Sequence, residues 1–154
     1  MKLSIILNYY NFCKNNDQIP YKNDILYWLK IIFMKTNIKK IEITISIVEI
    51  DYIQKLNKKY FQISKPTNVL SFLDKNNFLK KTLLGEIILC KEIIEHESFL
   101  QKKLLNAHWA HMIIHACLHL LKYDHKNIQE TCIMQIKEIN ILNLLGYKNP
   151  YELL

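Results

Sequence analysis

The chain of 154 residues is 50% hydrophobic, carries a formal net charge of +7, and contains two glycines and three prolines. This length accommodates one domain with a full core but not two ordinary domains, and the composition excludes long flexible linkers and extended disorder. No apolar stretch approaches the roughly 20 residues that a membrane-spanning helix needs, so we expect no membrane partner.

Periodicity of the apolar residues predicts nine elements. They are a strand at 2–10, a helix at 23–35, a strand at 40–48, a helix at 51–60, strands at 67–73 and 83–90, a short helix at 91–96, a helix at about 100–121 and a last helix at about 127–145. Strict alternation within 40–48 indicates one buried face, with the strand either at a sheet edge or under an uncovered face. Gly85 predicts the close approach of another backbone.

These elements predict a single α/β (α+β) domain over residues 1–154. It has a mixed sheet of about four strands packed against helices, in the order β-α-β-α-β-β-α-α once the short helix at 91–96 is left aside. The four cysteines form no CxxC pair, and no signal-peptide pattern precedes the first strand. We therefore predict a cytoplasmic protein with reduced thiols. The basic charge permits, without demanding, a polyanionic partner such as RNA.

Five of the six histidines lie between Ala107 and His125. His115 and His119 are four residues apart, so on a helix both imidazoles lie on one face about one turn apart. His125 is six residues further on, and the helix must end near 121–123 for a turn to bring it back. The spacing therefore predicts one metal ion bound by these three side chains at the end of the helix. Three protein ligands leave a fourth position open, which is typical of catalytic rather than structural zinc.

Neighbouring residues have more than one interpretation. His111 lies on the same face, and we interpret it as a packing residue or an outer partner of a ligand, with a fourth ligand as the alternative. Asp124 either orients an imidazole or closes the turn. Cys117 points to nearly the opposite side of the helix and is predicted to be a core thiol. The two remaining histidines, His96 and His108, are predicted to be solvent-exposed or structural.

Zinc proteases share this histidine spacing, but their signature places a glutamate directly after the first histidine as the general base. Ala116 occupies that position here and cannot take a proton, which argues against efficient peptide hydrolysis. Phosphodiester cleavage has no such requirement, because a metal can activate water directly and an RNA 2′-hydroxyl is an alternative nucleophile.

The motif HACLHLLKYDH at 115–125 resembles the HGxLHLxGYDH signature of the YbeY family, which are bacterial single-strand-specific metallo-endoribonucleases associated with ribosomal RNA maturation. Three further blocks resemble that family in the same order: LNKKYFQISKPTNVLSF at 56–72, LLGEI at 83–87 and LLGYKNPY at 144–151. The resemblance implies one zinc ion per chain, held by His115, His119 and His125.

The resemblance also implies an endoribonuclease of single-stranded RNA that acts in 16S rRNA 3′-end maturation and ribosome quality control. Its implied partners are rRNA and the ribosome or small-subunit ribosomal proteins. Polar residues of the block at 56–72 are expected to contact phosphate or sugar, with ordinary turn and strand chemistry as the alternative. These residues are Tyr60, Lys65, Thr67, Asn68 and Ser71. A lysine loop, Lys75, Lys80 and Lys81, either contacts RNA or is simply solvated.

Four positions depart from the family's motifs. Ala116 and Lys122 replace its two glycines, and Lys122 is expected to adopt a positive φ at a cost of about 1 kcal/mol. Glu86 replaces an aspartate, and Phe61 replaces an arginine that would hold the scissile phosphate. Phe61 supports an alternative function, a ribosome-assembly factor that binds rRNA or a ribosomal protein with little nuclease activity. A metal-dependent hydrolase of another substrate is a third hypothesis.

Overall fold

The computed structural model describes residues 2–74 and 81–152, so Lys75 and Lys80 of the lysine loop lie outside the described residues. In chain order the elements are β1 (Ser4–Asn11), α1 (Lys22–Phe33), β2 (Lys40–Val48), α2 (Ile50–Phe61), β3 (Val69–Asp74), β4 (Thr82–Cys90), α3 (Lys91–Leu100), α4 (Leu105–Leu120) and α5 (Ile128–Leu144).

The predicted order of elements is confirmed, and most boundaries differ by only one to three residues. The largest difference lies between the last three helices. The helix predicted at 91–96 continues to Leu100, and the histidine-bearing helix begins at Leu105 rather than near residue 100. Lys102 separates them with a φ of 53°, a left-handed conformation that a continuous helix cannot contain.

The four strands form one mixed sheet in the order β1-β2-β4-β3, with β1, β2 and β4 parallel and β3 antiparallel to β4. β2 has a partner on each side, so the alternative that placed it at a sheet edge was wrong. Its four isoleucines at 41, 43, 45 and 47 are fully buried, whereas Glu42 and Thr44 on the opposite face are half-buried. The alternation of β2 therefore reflects a sheet face that is only partly covered, which was the second of the two alternatives.

Two hydrophobic clusters lie on opposite faces of the sheet. In the larger cluster α1 and α4 pack against one face and α5 packs on these two helices, and a smaller cluster around Ile53 and Ile88 packs α2 against part of the other face. α4 is central to the larger cluster, because Trp109, Ile113 and Cys117 are all fully buried. The prediction of Cys117 as a core thiol is confirmed. A helix packed this closely is a rigid support for the histidines on its remaining face.

Gly85 of β4 lies beneath the C-terminal end of α4. A Cβ atom at this position would lie 2.7 Å from Cδ1 of Leu120. The neighbour is a side chain, so the expectation of a close backbone was wrong in that respect. Leu120 follows His119 directly, and its fit over the glycine sets how closely the end of α4 approaches the sheet.

We expect Gly85→Ala to lower the free energy of unfolding by about 1–3 kcal/mol, because an added methyl group overpacks against the buried Leu120 side chain. Denaturant-induced unfolding of Gly85→Ala, Leu120→Val and the double variant measures the coupling between the two positions. A smaller residue at 120 should restore part of the loss at 85. Strictly additive losses would contradict this packing.

Candidate metal centre

The C-terminal end of α4 is a Schellman motif, in which backbone N–H groups beyond the helix bond back to its last carbonyls. The N–H of Lys122 donates to the carbonyl of His119 at 2.9 Å, and the N–H of Tyr123 donates to the carbonyl of Leu118 at 2.9 Å. Lys122 has a φ of 72°, so the expected positive φ is confirmed. The helix therefore ends where the histidine spacing requires, and the chain turns back towards α4.

Two short polar side chains, Asp124 and Asn127, stabilise the connection between this turn and α5. Oδ1 of Asp124 accepts a hydrogen bond from the backbone N–H of His125 at 2.8 Å, and Oδ1 of Asn127 accepts one from the N–H of Glu130 at 2.8 Å. Of the two alternatives for Asp124, this bond supports turn closure. The same backbone bond to His125 and the nearby Lys126 ammonium lower the pKa of Asp124. The turn and the helix cap together fix the backbone position of His125.

We expect Lys122→Gly to raise the free energy of unfolding by up to about 1 kcal/mol, because glycine adopts a positive φ without the steric cost of a Cβ atom. Thermal or denaturant unfolding checks the gain. Lys122→Ala is the matched control, since it removes the long side chain but keeps the Cβ atom. A glycine variant no more stable than the alanine variant would show that the turn carries no such strain.

His115, His119 and His125 come together at the C-terminal end of α4, because the turn brings His125 back towards the helix. Each offers a ring nitrogen, and these three nitrogens lie within 4.8 Å of one another. Nε2 of His119 lies 3.1 Å from Nε2 of His115, and the His125 ring centroid lies 5.0 Å from that of His119. His115 and His119 are half-buried while His125 is exposed, so one side of the cluster faces solvent. The structure brings together the three side chains that the sequence predicts as ligands.

The second ring nitrogen of each helical histidine is already engaged. Nδ1 of His115 lies 2.8 Å from Oε2 of Glu138, and Nδ1 of His119 lies 3.1 Å from the carbonyl oxygen of Tyr123. Both partners accept hydrogen bonds, so we assign the imidazole protons to Nδ1 and lone pairs to Nε2. Two Nε2 lone pairs that face each other at this separation repel unless a cation lies between them. The donor set therefore fits a metal ion.

Electrostatics favour the neutral form of His119 that metal binding requires. Burial lowers the pKa of His119, and the neighbouring His115 and His125 lower it further. A neutral imidazole has a free lone pair, so protons compete less with a metal at His119 than they would at an ordinary histidine.

Sequence reasoning missed Glu138. Its carboxylate is 1% exposed, and it stands on α5 between the buried residues Met134 and Leu142, four positions from each. Acidic side chains are almost never buried without a partner, so a glutamate on the apolar stripe of a helix was the available signal. The partner itself, 23 residues earlier in the chain, has no sequence signature.

His111 lies outside the three-histidine cluster. Its Nε2 is 2.9 Å from Oε1 of Glu138, and its side chain is 7% exposed. Burial lowers the pKa of His111, so the ring is neutral at pH 7 and donates through Nε2 to the carboxylate. This position supports the prediction of an outer partner that acts through Glu138 rather than the alternative of a fourth ligand.

A second, partly buried network lies about one turn nearer the start of α4, where the His108 ring packs edge-on against His111 with centroids 5.9 Å apart. Nε2 of His108 lies 3.0 Å from Oε1 of Glu97, and Nδ2 of Asn68 donates to the same carboxylate at 3.1 Å. His108 is therefore structural, as expected, and His96 is exposed. Asn68 was predicted to contact substrate, but its amide already holds Glu97. Thr67 lies beside it, with Oγ1 at 3.5 Å from Oδ1 of Asn68.

The remaining predicted substrate contacts do not share one face of the sheet. Ser71 pairs with Ile87, whose side chain belongs to the core beneath α4, so Ser71 faces the histidine-bearing helix. Tyr60 packs edge-on against Phe72, which belongs to the cluster under α2 on the other face. Lys65 is exposed beyond α2. A single groove lined by all five predicted residues therefore does not form around one sheet face.

Phe61, in place of the family's arginine, is partly exposed and stacks on Phe72 with ring centroids 5.9 Å apart. Lys59 supplies a nearby positive charge, with Nζ 5.2 Å from the centroid of the Tyr60 ring.

None of the helices within residues 2–74 and 81–152 is long and apolar enough to cross a bilayer.

Comparisons with known proteins identify the family of this chain. The profile of the family described as Endoribonuclease YbeY matches residues 9–146. Two curated proteins with that name are 48% identical over 153 residues (Buchnera aphidicola subsp. Acyrthosiphon pisum, 97% of both chains) and 45% identical over 145 residues (Blochmanniella floridana, 94% of both chains). A solution structure of a Thermotoga maritima protein, 22% identical, shares the fold with a TM-score of 0.62 and covers 90% of this chain and 87% of its own. The chain belongs to the YbeY family of endoribonucleases.

Proposed function

We propose that this protein is a zinc-dependent, single-strand-specific endoribonuclease that acts in 16S rRNA 3′-end maturation and ribosome quality control. The observation that carries the proposal is the convergence of His115, His119 and His125, with Nε2 lone pairs facing each other and one side open to solvent. Membership of the YbeY family supplies the reaction class.

In this proposal the three imidazoles hold one zinc ion per chain, which supplies Lewis-acid chemistry to a water molecule or to the scissile phosphate. Glu138 and the carbonyl of Tyr123 keep the protons of His115 and His119 on Nδ1, so both rings present Nε2. Ala116 offers no carboxylate base, which is compatible with phosphodiester cleavage by activated water or by the RNA 2′-hydroxyl and disfavours peptide hydrolysis.

Single-stranded RNA is the substrate, and electrostatic attraction is its first means of binding. Lys58, Lys59 and Lys65 are exposed on and after α2, in a chain with a net charge of +7. Lysine contacts to phosphate are independent of sequence and weaken with salt. Of the five residues proposed to contact substrate, Ser71 lies on the sheet face that the histidine-bearing helix covers. We propose rRNA and small-subunit ribosomal proteins in the cytoplasm as the partners.

Single-turnover cleavage tests the activity. A single-stranded RNA that carries the 3′ end of precursor 16S rRNA is incubated with zinc-loaded protein, beside the same sequence as a duplex and a His115→Ala variant. We expect zinc-dependent cleavage of the single strand only, and none by His115→Ala. Binding without any metal-dependent cleavage would reject the nuclease proposal in favour of an assembly factor.

A ribosome-assembly factor with weak nuclease activity is the second candidate, and Phe61 is the observation that favours it. A phenyl ring stacked on Phe72 cannot neutralise a phosphate, so the site lacks a charge that the family's motif usually carries.

We expect Phe61→Arg to raise the single-turnover cleavage rate by about tenfold, because the family resemblance assigns the arginine at this position to the scissile phosphate, and such donors contribute roughly 10²–10³-fold. Phe61→Leu is the control for the loss of aromatic stacking. If arginine and leucine give the same rate, the missing charge does not limit cleavage, and the nuclease is complete without it.

A further inference from the structure

The carboxylate of Glu138 accepts hydrogen bonds from three donors. Oε2 lies 2.8 Å from Nδ1 of His115, Oε1 lies 2.9 Å from Nε2 of His111, and the hydroxyl of Tyr151 donates to the same Oε1. A carboxylate has acceptor sites only, so all three donors suit it. The carboxylate is buried on α5, where Glu138 is 1% exposed.

The Glu138 carboxylate determines which ring nitrogen of His111 and of His115 carries the proton. His111 faces Glu138 through Nε2, and its Nδ1 is buried without a hydrogen-bond partner among the described residues. A buried N–H without a partner costs more than a buried lone pair, so the proton belongs on Nε2, towards the carboxylate. His115 likewise places its Nδ1 proton towards Glu138. The carboxylate thereby selects the tautomer of both rings.

Tyr151 reaches this network from the segment that follows α5. Its backbone N–H donates to Oδ1 of Asn149 at 2.8 Å, which fixes the turn around Pro150. Its ring packs edge-on against His111 with centroids 5.6 Å apart. The segment after α5 therefore closes over the side of Glu138 that faces away from His115.

We propose that the C-terminal segment is part of the metal centre's support, with Tyr151 as a positioning residue. Tyr151 and His111 hold Glu138 in one rotamer, Glu138 holds the proton of His115 on Nδ1, and Nε2 of His115 is left free to bind metal. This inference rests on the proposed metal site and extends it to residues that touch neither metal nor RNA. Outer partners of this kind orient metal-binding imidazoles and raise their basicity.

Tyr151→Phe removes the hydroxyl alone, and Tyr147→Phe is its matched control. Tyr147 belongs to the same segment, but its hydroxyl oxygen accepts a hydrogen bond from Nδ2 of Asn106 at 3.0 Å, outside the Glu138 network. Glu138→Gln is the third variant. The NH₂ group of glutamine is a donor, so it would face a histidine or tyrosine donor where the glutamate offers an acceptor oxygen. Two readouts apply to each protein: zinc affinity by chelator competition, and the His115 tautomer by ¹⁵N NMR of the metal-free form.

We expect Glu138→Gln to weaken zinc binding by about 10–100-fold. Tyr151→Phe should weaken it by about 2–10-fold, as for the loss of one hydrogen bond. In both variants the His115 signal should move from the Nδ1–H tautomer towards a mixture, whereas Tyr147→Phe should match the wild type in both readouts. Unchanged zinc affinity and an unchanged His115 tautomer in Tyr151→Phe would overturn the proposal, even if that variant were less stable.

Neither readout depends on RNA cleavage. A wild-type protein that binds zinc but does not cleave RNA would refute the proposed nuclease and leave the positioning role standing. A wild-type protein that binds no zinc would refute the metal site, and the tautomer comparison in the metal-free proteins would still decide whether Tyr151 and Glu138 orient His115.

Discussion

His119→Ala is expected to abolish zinc binding and, with it, RNA cleavage. The carbonyl of Tyr123 in the turn holds Nδ1 of His119, and Nε2 of His119 faces Nε2 of His115 at 3.1 Å, where a bound cation would bring the two together. We expect zinc affinity to fall by more than about 100-fold, beyond the roughly 10–100-fold that the loss of an outer partner costs.

Chelator competition and single-turnover cleavage measure the two effects on the same preparation. His96→Ala is the control, because His96 is exposed on α3 and lies outside the cluster. It should bind zinc and cleave RNA as the wild type does. A His119→Ala variant whose zinc affinity stayed within tenfold of the wild type would place the metal elsewhere.

The metal-free protein is expected to lose stability as the pH falls. Burial lowers the pKa values of His111 and His119 below the ordinary histidine value of 6.5. Below pH 6.5 the unfolded chain therefore binds more protons at these positions than the folded chain does. The free energy of unfolding then decreases with decreasing pH, until the pH passes the lowered values.

Glu138 adds a second loss at lower pH. Burial alone would raise its pKa, but hydrogen bonds from His111, His115 and Tyr151 outweigh burial and lower the pKa from 4.5 to about 2. This stabilisation is complete above pH 4.5 and is lost as the pH falls towards 2. It amounts to about 3 kcal/mol at neutral pH.

Denaturant unfolding of the metal-free protein across a pH series separates the two phases. Glu138→Gln should be less stable than the wild type at pH 7 and should show a much smaller further loss below pH 4.5, while it keeps the loss that begins below pH 6.5. If the glutamine variant lost stability below pH 4.5 as steeply as the wild type, the carboxylate would not be the group that titrates there.

Local patterns in the sequence were sufficient for the parts of the site that one stretch of chain builds. The spacing of His115, His119 and His125 predicted a helix end near residue 121 and a turn beyond it, and a positive φ at Lys122 was expected because a family glycine is replaced there. All of these contacts lie within about ten residues. The isoleucine alternation of β2 was equally local, since a period of two reports which face is buried.

Contacts between distant segments could not be predicted in this way. The alternation of β2 is the same for an edge strand and for an interior strand under a bare face, so the position of β2 in the sheet was ambiguous. Gly85 indicated a close neighbour without identifying Leu120. Glu138 and Tyr151 depend on how α5 and the segment after it pack on α4. The five proposed substrate contacts share one sequence block, yet a sheet sends alternate residues to opposite faces.

Zinc K-edge X-ray absorption on the loaded wild-type protein tests the metal site most directly. We predict one zinc per chain with three imidazole nitrogens at about 2.0–2.1 Å, one water oxygen and no sulfur ligand. A spectrum with sulfur at about 2.3 Å, or with fewer than three imidazoles, would contradict the site formed by His115, His119 and His125.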